Sequence, residues 1–281
     1  MDVGIIFANI GGLAEAEGAQ ARAEACEAHG VDSVWTVEHV VVPAGYESQY
    51  PYSRDGRMPG GEDTPFPDPL VWLTWVGAHS SRLLLGTGVL ILPQRNPAVL
   101  AKEVATLDRF TGGRVRLGVG IGWLREEFAA LGVDFERRGA RTDEYVAALR
   151  ELWTSAEPTF HGEFVDFDKA LSFPKPANGA VPVVIGGHTE PAARRAGRLG
   201  DGFFPAKHDR LGELLEAMHA AAEEAGRDAS RIEVTTGAAR DAAGHQRLID
   251  LGVDRIVIPP PALDAEGIGP ALERTMDQLF G

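Results

Sequence analysis

Eight short apolar segments alternate with helix-forming segments along the chain, and this alternation is the feature that most restricts the fold. The apolar segments cover residues 3–8, 33–37, 83–89, 114–119, 182–185, 202–204, 232–236 and 255–258. Strands that alternate with helices form right-handed βαβ units and a parallel sheet. Eight such units close into a (β/α)8 TIM barrel, which we predict for residues 1–281 as one α/β domain. A doubly wound open sheet is the alternative, but it usually has fewer strands, and no composition shift marks a second domain.

Proline and glycine mark the ends of several predicted helices. Asp68 stands at an N-cap position with Pro69 directly after it, and Pro97 begins a helix that ends before Gly112 and Gly113. The predicted helices cover residues 13–29, 68–80, 97–110, 136–154, 190–199, 209–225, 241–251 and 271–279. They separate the predicted strands as a barrel requires.

Two segments interrupt the alternation. Residues 39–67, rich in Pro, Gly and Tyr, form an extended loop after strand 2, on the face where barrel active sites lie. Residues 156–180 are an insertion before strand 5, in which the alternating stretch 160–167 predicts a small hairpin. Loops of this length are usually functional lids or disordered segments. We expect the aromatic side chains of the insertion to cover the barrel exterior; they are Phe160, Phe164, Phe167 and Phe173.

The charge balance and the single cysteine exclude several classes of protein. The chain has 27 Lys and Arg against 41 Asp and Glu, a net charge of −14, whereas nucleic-acid binding needs a basic face. Cys26 alone cannot form an internal disulfide or a multi-cysteine cluster, and no metal-binding histidine spacing is present. No apolar run reaches the ~18 residues that span a bilayer, and no export signal is visible. We therefore expect a cytoplasmic protein with a small-molecule substrate, no metal and no membrane partner.

Glu38 and His39 stand where the second predicted strand ends. Catalytic residues of barrels lie at the carboxyl ends of the strands, and a histidine can donate or accept a proton near neutral pH. His39 is therefore the candidate catalytic acid or base. The alternative is a histidine that is simply hydrogen-bonded to a loop carbonyl. Solvated or structural positions are expected for the histidines in helices and other loops, namely His29, His79, His161, His219 and His245.

Glycines are concentrated at the ends of strands 3 and 4, where they let the backbone approach a flat ligand closely. Strand 3 ends with Thr87, Gly88 and Val89, and strand 4 is followed by Gly122 and Trp123. We predict that these residues line a ligand site. A dinucleotide-binding loop does not fit, because no GxGxxG motif follows the first strand.

Three residues near strand 4 could have a structural role instead of a role in the ligand site. Gly118 is consistent with close packing at the barrel rim. Glu126 and Glu127 either cap the short helix that follows strand 4 or reach the site.

Strand 5 ends in a glycine turn that opens a helix. The turn consists of Gly186, Gly187, His188 and Thr189. Free backbone N–H groups at a helix N-terminus bind phosphate, so this turn is a candidate phosphate site. An ordinary glycine turn before a helix is the alternative.

Three cations follow this turn in the sequence. Lys207, just past strand 6, is a weak candidate for the same rim, because an isolated lysine is more often exposed. Arg194 and Arg195 are adjacent on a helix and cannot both face one point, so at least one is expected on the surface.

Four blocks of sequence, taken in order, resemble the luciferase-like monooxygenase superfamily in its branch of coenzyme F420-dependent oxidoreductases. The blocks are residues 38–39, 86–100, 114–128 and 184–203. Each block is moderately specific, and together they extend the resemblance over roughly residues 1–260. The resemblance implies a (β/α)8 barrel, in agreement with the strand count.

The resemblance also implies roles for single residues. The cofactor ring would lie at the carboxyl-terminal mouth of the barrel, near Glu38, against a bulge with a non-proline cis peptide between Gly88 and Val89. The cofactor phosphate would lie on the amides of the turn 187–189. His39 would contact the deazaflavin or the substrate and act as an acid. A homodimer is the expected assembly.

This sequence departs from the sugar-phosphate dehydrogenases of the family at two positions. Trp123 stands where those enzymes carry a catalytic Glu, and Glu38 stands where they carry Asp. The tryptophan suggests a flat or apolar substrate near the ring.

We therefore expect a coenzyme F420-dependent oxidoreductase that passes a hydride from the deazaflavin C5 to an electrophilic carbon or imine, with His39 or a water supplying the proton. The loop 39–67 would close over the substrate with Tyr46, Tyr50, Tyr52 and Arg57. An FMN-dependent monooxygenase is the close alternative, because FMN and F420 share the ring-and-phosphate layout. A non-catalytic flavin-binding protein and a barrel enzyme that acts on a sugar phosphate without flavin are further alternatives.

Overall fold

Strands and helices alternate through residues 1–280, the part of the chain that the computed structural model describes. The strands are β1 (Asp2–Ile6), β2 (Ser33–Thr36), β3 (Leu84–Thr87), β4 (Leu90–Ile91), β5 (Val115–Gly120), β6 (Phe160–His161), β7 (Asp166–Phe167), β8 (Val183–Gly186), β9 (Gly202–Phe204), β10 (Glu233–Gly237) and β11 (Arg255–Ile258). The helices are α1 (Ala16–Ala28), α2 (Pro69–Ala78), α3 (Pro97–Phe110), α4 (Arg125–Ala130), α5 (Arg138–Thr154), α6 (Glu190–Leu199), α7 (Leu211–Glu224), α8 (Ala242–Asp250) and α9 (Ala265–Phe280). Short 3-10 turns lie at Gly11–Ala14, Leu92–Gln94 and Ala229–Arg231.

Eight parallel strands close into a barrel, which confirms the predicted (β/α)8 fold. Their order around the barrel is β1, β2, β3, β5, β8, β9, β10 and β11. The pair β1–β11 joins the two ends of the chain, with Val3 opposite Ile256. The pair β3–β5 places Leu85 opposite Val115 and completes the closure. The carboxyl ends of all eight strands therefore meet at one mouth.

The predicted strand 83–89 is interrupted at its end. β3 stops at Thr87, and the chain resumes as β4 at Leu90, which pairs with Val119 of β5. The peptide bond between Gly88 and Val89 is cis, as the family resemblance implied.

The other predicted elements are mostly found within a few residues of their predicted ends. The helices over 97–110 and 190–199 have the predicted bounds. The last helix begins at Ala265, earlier than predicted. The prediction began too late because the first turns contain Pro270 and two glycines, which have low helix propensity. Burial of Ile268 against the core offsets that low propensity.

The insertion before β8 contains the predicted hairpin and lies outside the barrel. β6 and β7 pair antiparallel, with Phe160 opposite Phe167. The guanidinium groups of Arg137 and Arg141 lie over the ring of Phe164 at 5.1 and 5.2 Å. Phe160, Phe164 and Phe167 are half-buried in the insertion outside the barrel, as expected, whereas Phe173 is largely exposed, at 62%.

Two kinds of side chain fill the barrel interior. A small apolar cluster holds Trp35, Val184, Phe204 and Val257. Arg255, buried at the amino-terminal end, donates to the carboxylate of Asp32 at 2.7 Å and also bonds Glu233 and Asp2. The apolar side chains between the strands and the surrounding helices form the main core. None of the helices within residues 1–280 is both long and apolar enough to cross a membrane.

The side chain of Val89 lies between two glycines of neighbouring strands. A Cβ at Gly120 would lie 2.5 Å from Val89 Cγ2, and a Cβ at Gly186 would lie 2.4 Å from Val89 Cγ1. Both distances are far below van der Waals contact, so the bulge after β3 requires glycine at both positions.

We expect Gly120→Ala to destabilise the protein by about 1–3 kcal/mol, because the stiff valine cannot move away without a backbone shift. Urea unfolding measures the change. Gly237→Ala is the matched control, since a Cβ at this strand end meets nothing within 4 Å.

Adding Val89→Ala to the Gly120→Ala variant removes the methyl group that the new Cβ strikes. The double variant should therefore lose less stability than the sum of the two single variants. Additive losses would contradict this account of the bulge.

Candidate active site

His39 and a buried carboxylate of α4 form the most constrained polar pair at the barrel mouth. The chain leaves β2 at Thr36 and places His39 Nδ1 3.0 Å from Glu127 Oε2. The Glu127 side chain is fully buried, and that of His39 is 7% exposed. Glu127 Oε1 accepts from the amides of Val40, at 2.7 Å, and Val41, at 3.4 Å. The pair fixes the imidazole orientation, and no residue within 1–280 bonds its Nε2.

Aromatic rings surround this histidine. Trp123, which follows β5, makes edge-to-face contacts with His39 at 5.6 Å, Tyr46 at 5.5 Å and Tyr50 at 5.2 Å. Phe66 makes an edge-to-face contact with His39 at 5.7 Å. We call these five residues the aromatic wall. It joins the extended loop 39–67 to the end of β5.

A second glutamate of α4 holds the same loop. Glu126 accepts from Ser48 Oγ at 2.6 Å and from the amides of Glu47, at 2.8 Å, and Ser48, at 3.0 Å. The Ser48 hydroxyl, together with these amides, lowers the pKa of Glu126 to about 2. Both glutamates bond the extended loop, and Glu127 is the one that meets a predicted site residue, His39.

The loop is also held together by its own aromatic residues. Arg57 lies over the Tyr46 ring at 4.8 Å and donates to its carbonyl at 2.8 Å. Tyr52 contacts Tyr50 at 5.4 Å. Burial raises the pKa of Tyr50 to about 12.

Glu38 is engaged by the protein on both carboxylate oxygens. Its Oε2 accepts from the amide of Ile91 at 2.6 Å, and its Oε1 accepts from Arg95, which also bonds Asp68 at 3.0 Å. Burial raises the pKa of Glu38, against the opposing effect of Arg95. The sequence predicts a cofactor contact for Glu38; the structure shows that its carboxylate holds the segment after the cis peptide.

The predicted ligand-lining residues at the ends of β3 and β5 meet at the mouth. Thr87 Oγ1 donates to the Gly118 carbonyl at 2.6 Å, and the amide of Gly88 donates to the Thr36 carbonyl at 2.6 Å. Gly122 has a φ of +76°, and a Cβ there would lie 2.7 Å from Phe128. The left-handed turn at Gly122 brings Trp123 to the aromatic wall.

The turn after β8 forms a cradle of backbone amides. Thr189 is the N-cap of α6, and its hydroxyl accepts from the amide of Ala192 at 3.4 Å. The amide of Gly187 donates to the Phe204 carbonyl at 3.2 Å and is therefore occupied. The amides of His188 and Thr189 have no acceptor among residues 1–280.

His188 adds an unpaired nitrogen to this cradle. Its Nε2 lies 2.8 Å from Asp209 Oδ1, while its Nδ1 is buried with no partner within the described chain. Because the Asp209 carboxylate can only accept, His188 Nε2 carries a hydrogen, and Nδ1 can donate to a phosphate only in the imidazolium form. The two free amides at the helix N-terminus fit a phosphate group. The residues present therefore suit the phosphate of a flavin-type cofactor.

The two arginines near the cradle bond other groups. Arg194 pairs with Glu224 at 2.6 Å, and Arg195 bonds the carboxylate of Asp143. Lys207 is exposed, two residues before the aspartate that bonds His188. Without the two arginines, the cradle offers a phosphate its free amides and the α6 dipole, and the contact from Lys207 stays a prediction.

Sequence reasoning missed Phe66 and left the role of Glu127 open. The short helix α4, which follows β5, contains two adjacent glutamates, and only the folded chain shows which one meets the histidine. Their place in the segment after a barrel strand was the available signal.

Known proteins share the sequence and the fold of this chain. A family model described as luciferase-like monooxygenase matches residues 5–242. An uncharacterized protein of Mycobacterium tuberculosis is 35% identical over 239 residues, which are 84% of this chain and 82% of that protein. An F420-dependent glucose-6-phosphate dehydrogenase of Nakamurella multipartita is 36% identical over 219 residues, which are 75% of this chain and 59% of that protein.

A solved structure shares the barrel over almost its whole length. The coenzyme F420-dependent tetrahydromethanopterin reductase from Methanopyrus kandleri matches with a TM-score of 0.74 and 14% identity, covering 98% of this chain and 96% of that chain. At this identity the likeness concerns the fold.

Proposed function

Because this chain belongs to the luciferase-like monooxygenase family, we propose that it is a coenzyme F420-dependent oxidoreductase that transfers a hydride between the deazaflavin C5 and a small organic substrate. Members of the family are F420- or flavin-dependent oxidoreductases and monooxygenases, so the chain is an enzyme that uses a cofactor of this type. The resemblance found in the sequence is confirmed at this level.

The observation that carries the proposal is the placement of three features on one rim. The His39–Glu127 pair follows β2, the bulge with Val89 follows β3, and the amide cradle with His188 and Thr189 follows β8. The cradle would hold the cofactor phosphate, and the bulge would support the ring. The aromatic wall would cover the substrate and exclude water.

Bound reduced deazaflavin supplies a hydride. The task left to the protein is to orient the substrate and to move one proton. His39 Nε2 is the nitrogen that no described residue bonds, so in the imidazolium form it would donate its proton to the substrate oxygen or nitrogen. Phe66 and Trp123 hold the ring edge-on while this happens.

Trp123 supports a substrate different from that of the sugar-phosphate dehydrogenases. The Nakamurella multipartita relative is named a glucose-6-phosphate dehydrogenase. The sequence resemblance implies that Trp123 of this chain stands where sugar-phosphate dehydrogenases of the family carry a catalytic Glu. An indole prefers flat or apolar groups. We propose an enone or imine of this kind as the substrate class.

An FMN-dependent monooxygenase is the second candidate, favoured by the description of the family model itself. The F420-dependent relative at 36% identity favours the deazaflavin. The amide cradle is compatible with either cofactor, because each presents a phosphate beside its ring system.

Fluorescence quenching of the cofactor-free protein by F420 and by FMN tests the choice of cofactor. We expect F420 to bind more tightly than FMN. A deazaflavin that lacks the phosphate should bind at least about tenfold more weakly, because it leaves the charge-assisted bonds of the cradle unmade. Preference for FMN, with oxygen consumption, would support the monooxygenase, and binding of neither would remove the cofactor argument.

His39→Ala tests the acid role. Removal of the imidazole should lower kcat by about 10²- to 10⁴-fold and change the affinity for the cofactor little. Turnover of the loaded enzyme and the same quenching titration measure the two effects. His161→Ala, on the exposed hairpin, is the control expected to change neither. Equal loss of turnover and cofactor affinity would contradict an acid role.

We also propose that the chain forms a homodimer through α2 and α3. These helices expose Val71 (70%), Trp75 (44%), Val99 (56%) and Phe110 (77%), and Val71 and Phe110 line one groove between them. Contiguous apolar patches on a protein surface mark interaction sites. Sedimentation velocity of the unsubstituted protein should give twice the mass of one chain. Phe110→Asp should sediment with the mass of a monomer, because it places a charge on the apolar surface. Leu171→Asp, at an apolar side chain that is 63% exposed in the insertion, should stay dimeric. A monomeric unsubstituted protein would contradict the proposal.

A further inference from the structure

We infer that Glu127 is a positioning residue that holds the proton of neutral His39 on Nδ1, so that Nε2 is the nitrogen that takes up and releases the transferred proton. The consequence for turnover rests on the proposed function, whereas the tautomer itself depends only on the chain. Glu127 touches neither substrate nor cofactor in this account; it acts through His39.

The hydrogen bonds of Glu127 determine which atom carries the proton. Its Oε1 accepts from the backbone amides of Val40 and Val41, and Oε2 faces His39 Nδ1 at 3.0 Å. Amide donors favour the ionised carboxylate. An ionised carboxylate can only accept, so the hydrogen between Oε2 and Nδ1 belongs to the imidazole.

The other groups around His39 do not compete for this proton. Phe66 and Trp123 present uncharged rings to the imidazole. Glu38, the preceding residue, has its charge paired with Arg95, which is also paired with Asp68. Glu127 is therefore the charged group that bonds the imidazole within residues 1–280.

The geometry makes the effect of Glu127→Gln specific. The two backbone amides still need an acceptor, because an unpaired buried N–H group is costly. The glutamine carbonyl must therefore occupy the Oε1 position, which leaves its NH2 group facing His39 Nδ1. Since that NH2 group can only donate, neutral His39 must accept there and carry its proton on Nε2.

This change also disfavours the protonated imidazole. In the unsubstituted protein, imidazolium has a carboxylate beside Nδ1–H. In Glu127→Gln, imidazolium would place Nδ1–H against the NH2 donor. The form that donates a proton would then persist only at lower pH, so the alkaline limb of the kcat profile should move to lower pH.

The experiment uses the full-length protein with 15N-labelled histidine, without and with F420. Long-range 1H–15N correlations distinguish the two neutral tautomers, and the His39 signals are identified by their loss in His39→Ala. We expect the Nδ1–H tautomer in the unsubstituted protein and the Nε2–H tautomer in Glu127→Gln. The kcat of Glu127→Gln should fall by about 10²- to 10⁴-fold with cofactor affinity retained.

Glu126→Gln is the matched control, because it changes the neighbouring glutamate of the same helix, which holds Ser48 and does not contact His39. Its His39 tautomer and the alkaline limb of its pH profile should be those of the unsubstituted protein. A shift of the tautomer in this control would mean that loop position, rather than the bond to Nδ1, determines the proton.

The tautomer of His39 in the unsubstituted protein tests the inference even if Glu127→Gln does not fold. An Nε2–H tautomer in the unsubstituted protein would overturn the inference by itself. Failure of the proposed function has a different signature: neither cofactor binds, while the His39 tautomer is still Nδ1–H and still changes in Glu127→Gln.

Discussion

The pairing of β3 with β5 is the contact on which the barrel mouth depends. It closes the ring of eight strands and brings the end of β3 directly over β5. A Cβ at Gly118 would lie 1.8 Å from the Thr87 carbonyl, so this approach requires a glycine. The close packing that the sequence suggested for Gly118 is thus what the structure shows. The break after Thr87 then turns Val89 toward β5 and β8, where two further glycines make room for it.

The second constraint is that each buried carboxylate needs hydrogen-bond donors. At the barrel mouth these donors come from the segments that the carboxylates hold in place. The Glu38 carboxylate holds the segment after the cis peptide, and the Glu127 carboxylate holds the start of the extended loop. Each accepts at least one backbone amide, which offsets the cost of burying charge. Because Glu126 and Glu127 are adjacent on α4, one short helix fixes two points of the loop. The loop and the histidine are therefore positioned by the same element.

Much of this arrangement could be predicted from residues alone. Alternating apolar segments predicted the eight barrel strands. Glycine positions marked the strand ends at the mouth, where the sequence predicted the approach of a flat ligand and the structure shows neighbouring side chains and backbone close by. His39 was recognisable because it follows a strand in a barrel. Glu127 was not assignable, because its partner is distant in sequence and its neighbour Glu126 has the same chemistry. The cations Arg194 and Arg195 were ambiguous for a similar reason, since their partners Glu224 and Asp143 lie on other helices.

The sequence by itself determined the barrel, the place of the mouth and the candidate acid, because hydrophobic periodicity and glycine placement are local properties. Tertiary structure alone decided which amides remain free in the cradle, which carboxylate meets His39, and which rings surround Trp123. These contacts join residues from strand ends that are far apart in the chain. Their existence depends on barrel closure, which no local pattern encodes.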